Sequence, residues 1–331
     1  MKALVTGGTS LLGAAVAQRL VDRGDNVVTL QRGEASGGWL QARGDIRDAA
    51  AVSSAVRGAD AVVHLAAKVS VTGPWQEFES TNVGGTENVV AACRTHGVRR
   101  LVHVSSPSVA HVGDPLMGAG TDPADPERVH GHYARSKAMA EQLALAEADG
   151  GLSVVAVRPH LVWGPGDTQL VGRIVERAAS GRLALIDGGT ALIDTTYLDN
   201  AADALVAALD RADALSGQAF VISNGEPRTV AELLARICRA AGVPEPTRSV
   251  PRALASGAGF VVERAWTASG RHEEPPMTRF LAEQLSTAHW FDQRRTREAL
   301  QWTPQVPLTE GFARLTTYFR RQTATVTPQD G

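Results

Sequence analysis

Tyr133-Ala134-Arg135-Ser136-Lys137 sets a phenol and an ammonium four residues apart, the spacing that brings both to one face of a helix. A phenol with its ordinary pKa of about 10 is a poor acid or base at neutral pH until a nearby cation stabilises the phenolate. The chain holds three tyrosines, and its lysines are only Lys2, Lys68 and Lys137 among 33 basic side chains. Chance would supply roughly 0.03 such Tyr/Lys pairs, so an accidental pair of exposed helix residues is the weaker explanation. Hydroxyls also gather in His103-Val104-Ser105-Ser106-Pro107-Ser108-Val109, at the end of an apolar run. A serine there can hydrogen-bond a substrate oxygen while the tyrosine moves its proton, although a capping role or a Ser-rich turn would use the same residues.

A third cluster opens the chain. Thr6-Gly7-Gly8-Thr9-Ser10-Leu11-Leu12-Gly13 follows one apolar run and starts a helical pattern, the context in which a helix N-terminus meets a pyrophosphate. The spacing is that of TGxxGxxG with Ser10 in the middle glycine position. Its Cβ narrows the space for phosphate, and its hydroxyl can donate to the phosphate in return. After the second apolar run come Leu30-Gln31-Arg32, with no acid at the tip. A guanidinium there favours the 2′-phosphate of NADP over the ribose hydroxyls of NAD, while Glu34 keeps NAD open.

The elements that must position these groups follow from periodicity. Lys2–Thr6, Asn26–Gln31, Ala61–Leu65, Leu101–Ser105 and Val154–Arg158 read as strands buried on both faces. Leu11–Arg23, Ala49–Arg57, Phe78–His96 and Tyr133–Ala148 alternate with them as helices, which predicts an α/β fold with a doubly wound parallel sheet. This dinucleotide-binding unit is expected over residues 1–165, with 191–224 rejoining it through a helix at Asn200–Asp210 and a strand at Gln218–Ile222. Residues 166–190 and 225–322 are expected to form a smaller substrate lobe. It would carry a helix from Gln169 to Ser180 and a strand pair, Leu183–Ile186 with Ala191–Tyr197. Thr323–Gly331 reads as a frayed polar tail.

Composition narrows the function classes. With 331 residues, 44% hydrophobic and 21% charged, the chain can bury a large core, and disorder is excluded. A formal net charge of -2 argues against a nucleic-acid binder. No apolar run is long enough to cross a bilayer, and Gly7 comes too early for a signal peptide, so the expected address is the cytoplasm. Cys93 and Cys238 are far apart and form no CxxC pair, so neither a disulfide framework nor a thiolate zinc site is indicated, and Cys93, in an apolar helical stretch, reads as a buried thiol. His111, His130 and His132 have no carboxylate or thiolate at ligand spacing, so no metal is expected. His64 falls inside a strand and reads as core. Leu254–Trp266, with Phe260, Val261 and Val262, reads as a lobe helix or as an amphipathic lid touching an acyl chain or a membrane surface.

Together these motifs resemble the extended short-chain dehydrogenase/reductase family almost end to end. The match also takes in Gly44-Asp45-Ile46, His64-Leu65-Ala66-Ala67, Asn82-Val83-Gly84-Gly85-Thr86, and Arg158-Pro159 followed by Trp163-Gly164-Pro165-Gly166. The resemblance implies a catalytic Ser106, Tyr133 and Lys137. It implies cofactor contacts at Gly7, Thr9, Ser10, Leu11, Leu12, Gly13, Gln31 and Arg32, with Asp45 and Ile46 beside the adenine. Ala66 and Ala67 would line the pyrophosphate side, and Pro159, Leu161 and Val162 would face the nicotinamide, with Leu65, Asn82, Tyr133 and Lys137 also touching the cofactor. Lys68, His111, His160 and Trp163 are the candidate substrate contacts. Within the family, Asp194-Thr195-Thr196-Tyr197-Leu198-Asp199-Asn200, Glu274–Arg279 and His289–Asp292 resemble the 3β-hydroxysteroid dehydrogenase branch. The C-terminal stretch is similar to bacterial 2-alkyl-3-oxoalkanoate reductases, which reduce a β-keto acid with NADPH. The expected partner is therefore a small apolar keto or hydroxy compound, and a homodimer through the helices at 78–96 and 133–148. An NAD-dependent sterol dehydrogenase, a sugar-nucleotide epimerase or dehydratase, and a dinucleotide sensor without turnover are the competing readings.

Overall fold

A computed structural model describes residues 1–70, 72–111, 113–269 and 279–326. The first strands in chain order are β1 (Lys2–Thr6), β2 (Asn26–Gln31), β3 (Leu40–Arg43), β4 (Ala61–His64), β5 (Arg100–Val104), β6 (Leu116–Ala119) and β7 (Ser153–Pro159). Among the described residues, a seven-stranded sheet runs in the order Gln218–Ile222, β7, β5, β4, β1, β2, β3, and every pairing is parallel. The order reverses between β1 and β4, the crevice where open α/β sheets bind ligands.

Alternation along the strands explains the layers. Ala3 and Val5 of β1 pack on one face with Val16, Ala17 and Leu20 of helix α1 (Leu11–Asp22). Leu4 points to the other face, among Val52 and Val56 of α2 (Ala49–Val56). Both faces are covered, so the strands carry no polar alternation.

The helix expected over Phe78–His96 is broken into parts: α3 (Trp75–Phe78), a π-helical turn at Glu79–Gly84, and α4 (Gly85–His96). The wider turn swings Asn82 inward, where it is 1% exposed. Helix α5 (His132–Ala146) carries the Tyr/Lys pair.

The strand pair expected between 183 and 197 does not form. Leu185–Ile186 pairs with Ser249–Val250, Leu192–Ile193 lies between Arg228–Thr229 and His289–Phe291, and Thr196–Tyr197 joins Val162–Trp163. The intervening 3-10 turn at Asp187–Gly189 has positive φ at Asp187 (47°), Gly188 (70°) and Gly189 (65°), which redirects the chain into a different sheet. Strand β6 was not expected either. It leaves the first part of the chain to pair with His289–Phe291. The polar run starting at Thr323 was expected to fray, yet the helix Leu308–Val326 includes its first residues. Phe312 and Leu315 of that helix pack on Leu233 and Ile237, and the polar positions form its outer face.

Leu254 lies in a helix, Arg252–Ser269, with Ala255 buried against Ile186. The side chains of Phe260, Val261 and Trp266 lie outside the described residues, as do Glu274 to Thr278 and the tail from 327. Among the described residues no helix is long and apolar enough to cross a membrane.

Candidate active site

Tyr133 and Lys137 sit in the first turns of α5, which packs on the 3-10 turn Pro107–Ala110 that follows β5. Ser106 caps that turn, accepting from the Ser108 N–H, and its Oγ lies 2.9 Å from the Ser108 Oγ. Tyr133 hydrogen-bonds Ser106. Burial pushes the phenol up from its usual value, and the Ser106 hydrogen bond offsets part of that rise. Lys137 is 4% exposed and donates to the Val104 carbonyl at 2.6 Å. Desolvation lowers its ammonium to about 8, close to neutrality, against the pull of Glu141. Lysine therefore stands ready to gain or lose a proton, but in this arrangement burial still dominates the tyrosine.

The end of α5 is tied to the sheet by charge. Arg158 of β7 makes a two-pronged pair with Glu141, at 2.9 Å and 2.6 Å, and donates to the Asp122 carbonyl at 2.7 Å. Both side chains are 1% exposed, one helical turn beyond Lys137. A fully bonded buried pair of this kind fixes the helix in register with the sheet edge.

Ser106 and Tyr133 open onto a cavity of about 220 Å3. Its walls are largely apolar, including Val69, Pro107, Leu116, Pro159, Leu161 and Phe291, with Ser70, Ser108, His111, His160, Gln169, Arg173, Gln284 and His289 between them. His111 and His160 thus stand on the wall, as the sequence suggested. Trp163 does not: it is fully buried in the lobe core, stacked 4.6 Å from Phe312 and donating to Thr195. Its indole is too large and apolar to stay at a strand end facing water. Lys68 is also off the wall, because its ammonium pairs with Glu77 at 2.8 Å. Sequence reasoning missed Gln284, His289 and Phe291 as wall residues. His289 and Phe291 stood in a stretch that carried only a family likeness, and nothing in the linear chain shows that their strand pairs with β6.

At the other end of the crevice the glycine turn is built as a cradle. Gly7 has φ +80°, and a Cβ on it would lie 3.0 Å from the Ala66 nitrogen. A Cβ on Gly13 would lie 2.3 Å from the Gly7 carbonyl oxygen, so α1 can approach β1 only with glycine there. The Thr6 hydroxyl accepts from Ala66 N–H and bonds His64, which binds the segment after β4 to the turn. Burial pushes His64 down to about 3, so it is a neutral core residue.

Family comparison decides what this crevice serves. The description "NAD dependent epimerase/dehydratase family" fits residues 3–223. The chain belongs to that family. It is 44% identical over 324 residues to a 2-alkyl-3-oxoalkanoate reductase of Stenotrophomonas maltophilia, covering 95% of this chain and 98% of that one. A protein of the same name from Shewanella oneidensis is 38% identical, with 95% and 85% covered. Among solved structures, the UDP-glucose 4-epimerase of Thermus thermophilus in complex with NAD superposes with a TM-score of 0.74 at 26% identity, covering 97% of this chain and 99% of that one. This family member is thus an NAD(P)-dependent oxidoreductase of the extended short-chain dehydrogenase/reductase type.

The residues present fit a dinucleotide. The crevice needs glycine at Gly7 and Gly13, and α1 presents its free N-terminus there. Two expected contacts need correcting. Ser10 was expected to offer its hydroxyl to phosphate, but that group caps α1, donating to the Gly7 carbonyl at 2.8 Å and accepting from Gly13 N–H at 3.0 Å. Leu11 and Leu12 N–H are left as the first helical donors. Asn82 was expected to touch the cofactor, but its amide is spent inside the protein. It accepts from Lys68 N–H at 2.7 Å and donates to the Lys68 carbonyl at 3.2 Å and the Ser136 hydroxyl at 2.9 Å. Asn82 thereby braces the loop after Ala67 against α5.

The tip of β2 shows more than its sequence did. Glu34, an acid near it, pairs with Arg43 of the neighbouring strand at 2.9 Å. Asp45 pairs with Arg47, which holds its carboxyl below the usual range. Arg32 is exposed beside them, and Thr9 faces Gly33. Gln31 is buried, donating to Gln41 at 3.2 Å, and Ile46 packs under Gly85. Leu65 and Val162 pack against the core beneath the crevice, while Leu161, at φ +42°, turns to the cavity.

Proposed function

We propose that the protein is an NADPH-dependent reductase converting a 2-alkyl-3-oxo acid to its 3-hydroxy acid. What carries this reading is the cavity itself: Ser106 and Tyr133 open onto an apolar chamber whose described lining contains no Asp or Glu. An alkylated acyl chain fits the apolar part of these walls, and the absence of a carboxylate among the described lining residues suits an acidic substrate. The names of the relatives agree with that substrate class.

Gly7, Leu11 and Leu12 would hold the pyrophosphate, Asp45 and Ile46 the adenine side, and Pro159 and Leu161 the nicotinamide. When bound, the reduced cofactor supplies a hydride to the carbonyl carbon. Ser106 holds the carbonyl oxygen by hydrogen bond, and Tyr133 gives it the proton that completes the alcohol. Lys137, with an ammonium near 8, stabilises the tyrosinate left behind. Arg32, exposed at the tip of β2, grips the 2′-phosphate of NADPH.

The test is absorbance decay of NADPH and of NADH with a 2-alkyl-3-oxo acid. Tyr133→Phe is expected to lower kcat by about 10²–10⁴-fold while cofactor binding persists. Arg32→Ser is expected to raise the KM for NADPH roughly tenfold and leave that for NADH nearly unchanged. No decay with either cofactor would overturn the substrate; equal use of both cofactors would overturn the role of Arg32.

A further inference from the structure

The 3-10 turn after β5 is anchored by alternate residues. Pro107 and Val109 are buried, and Val109 packs among Ala134 and Ala138 of α5, the helix that carries Tyr133. The residues between and before them, Ser106 and Ser108, are half-buried and line the cavity together. Among the described residues, the Ser108 hydroxyl has one hydrogen-bond partner, the Ser106 Oγ at 2.9 Å. The proton transfer described so far gives Ser108 no task.

The hydrogens of Ser106 settle which way that bond runs. A serine hydroxyl has one hydrogen to donate and two lone pairs to accept with. The Ser106 Oγ accepts from the Ser108 N–H at 3.3 Å, the first donor of the turn because Pro107 has no N–H. A substrate carbonyl oxygen only accepts, so Ser106 must give its single hydrogen to it. The 2.9 Å contact then persists only with Ser108 as the donor. Both lone pairs of Ser106 are thus filled from Ser108, and the Ser106 hydrogen is left with the one direction that remains. Without substrate the same hydrogen goes to the Tyr133 oxygen, in agreement with a Ser106 bond that draws the phenol down.

A hydroxyl that accepts a hydrogen bond donates more strongly through its own hydrogen, by roughly 10–30% per bond. Negative charge gathers on the substrate oxygen as the hydride arrives, and a donor already aimed at that oxygen needs no reorganisation at that moment.

We propose that Ser108 is a positioning residue, whose hydroxyl donates to Ser106 and so fixes the Ser106 hydrogen on the reacting oxygen. This rests on the ketone reduction proposed above, and Ser108 acts on that reaction through Ser106 alone.

Ser108→Ala removes the hydroxyl and keeps the N–H that caps the turn. With NADPH and a 2-alkyl-3-oxo acid, kcat is expected to fall roughly tenfold while KM stays within about twofold. Ser108→Thr, which restores a hydroxyl, is expected to recover most of the lost kcat. The deciding comparison repeats Ser108→Ala in a Ser106→Ala protein, where no hydroxyl is left to aim and the further loss should stay under about twofold. An equal loss in both backgrounds would mean that Ser108 meets the substrate itself, and it overturns the proposal. So does an unchanged kcat in the single variant.

A second measurement needs no turnover. In protein labelled with carbon-13 tyrosine, the ring signal that is missing from Tyr133→Phe follows the titration of that phenol. Ser108→Ala should move this titration to higher pH, because the Ser106 donor behind it is weakened, and should leave it in place in the Ser106→Ala background. No movement in the single variant overturns the proposal, whether or not the acid is reduced. If the wild type does not oxidise NADPH with the acid, the substrate reading falls separately, and the titration still decides the role of Ser108.

Discussion

Between Thr6 and Gly13 the chain builds a glycine cradle from consecutive residues, whereas the cavity draws its walls from segments as far apart as Val69 and Phe291. In the first site the geometry is local. One glycine supplies the positive φ, another the close approach, and Ser10 closes the helix end. In the second, wall residues are placed by something distant: Tyr133 by the Arg158–Glu141 pair, His289 by pairing with β6. A local site should therefore tolerate change with small, self-contained losses. An assembled one should fail through its braces, even where no brace touches substrate.

The largest expected effect falls on such a brace. Glu141→Ala leaves the Arg158 guanidinium buried without its partner and is expected to cost about 3–5 kcal/mol in chemical denaturation. Activity should fall as well, because α5 loses its register while the glycine turn keeps cofactor affinity. A loss below 1 kcal/mol would mean that the pair is not what fixes the helix.

A somewhat smaller effect comes from Lys137, whose ammonium titrates at about 8 in the fold against about 10.4 in an unfolded chain. Between those values the unfolded state binds more protons, so stability should rise as pH increases through that window, by about 3 kcal/mol in total, and the penalty is fully present below pH 8. Lys137→Met should remove that rise and abolish turnover. Parallel stability-versus-pH curves for the two proteins would contradict the burial argument.

The smallest effect belongs to the local site. Ser10→Ala removes the α1 cap and is expected to cost about 1 kcal/mol, read as a fall in the unfolding midpoint. The cavity should be untouched, so kcat at saturating cofactor should stay within about twofold. A collapse of kcat would show that the turn and cavity are coupled after all.

Much of this was legible in the linear chain. The parallel sheet, the helices on its two faces and the glycine turn follow from periodicity and from residues a few positions apart. The Tyr133/Lys137 pair was legible for the same reason, since i and i+4 share a helix face in any context. Ser10 shows the limit: its position was read correctly, but its hydroxyl was assigned to a phosphate when the nearest orphan donor was the Gly13 N–H. Trp163 and Asn82 were misplaced because burial depends on what packs over them, and those partners come from Phe312 and Ser136.

The sequence by itself determined the sheet, the glycine cradle and the shared helix face of Tyr133 and Lys137, because short-range sterics and helical geometry act between neighbours. Only the tertiary structure decided the cavity, the pairing of Glu34 with Arg43 and the hydrogen-bonded contacts of His160 with Asp194 and His289. Those depend on long-range strand pairing and on desolvation, and both are set by which distant segments close over a site.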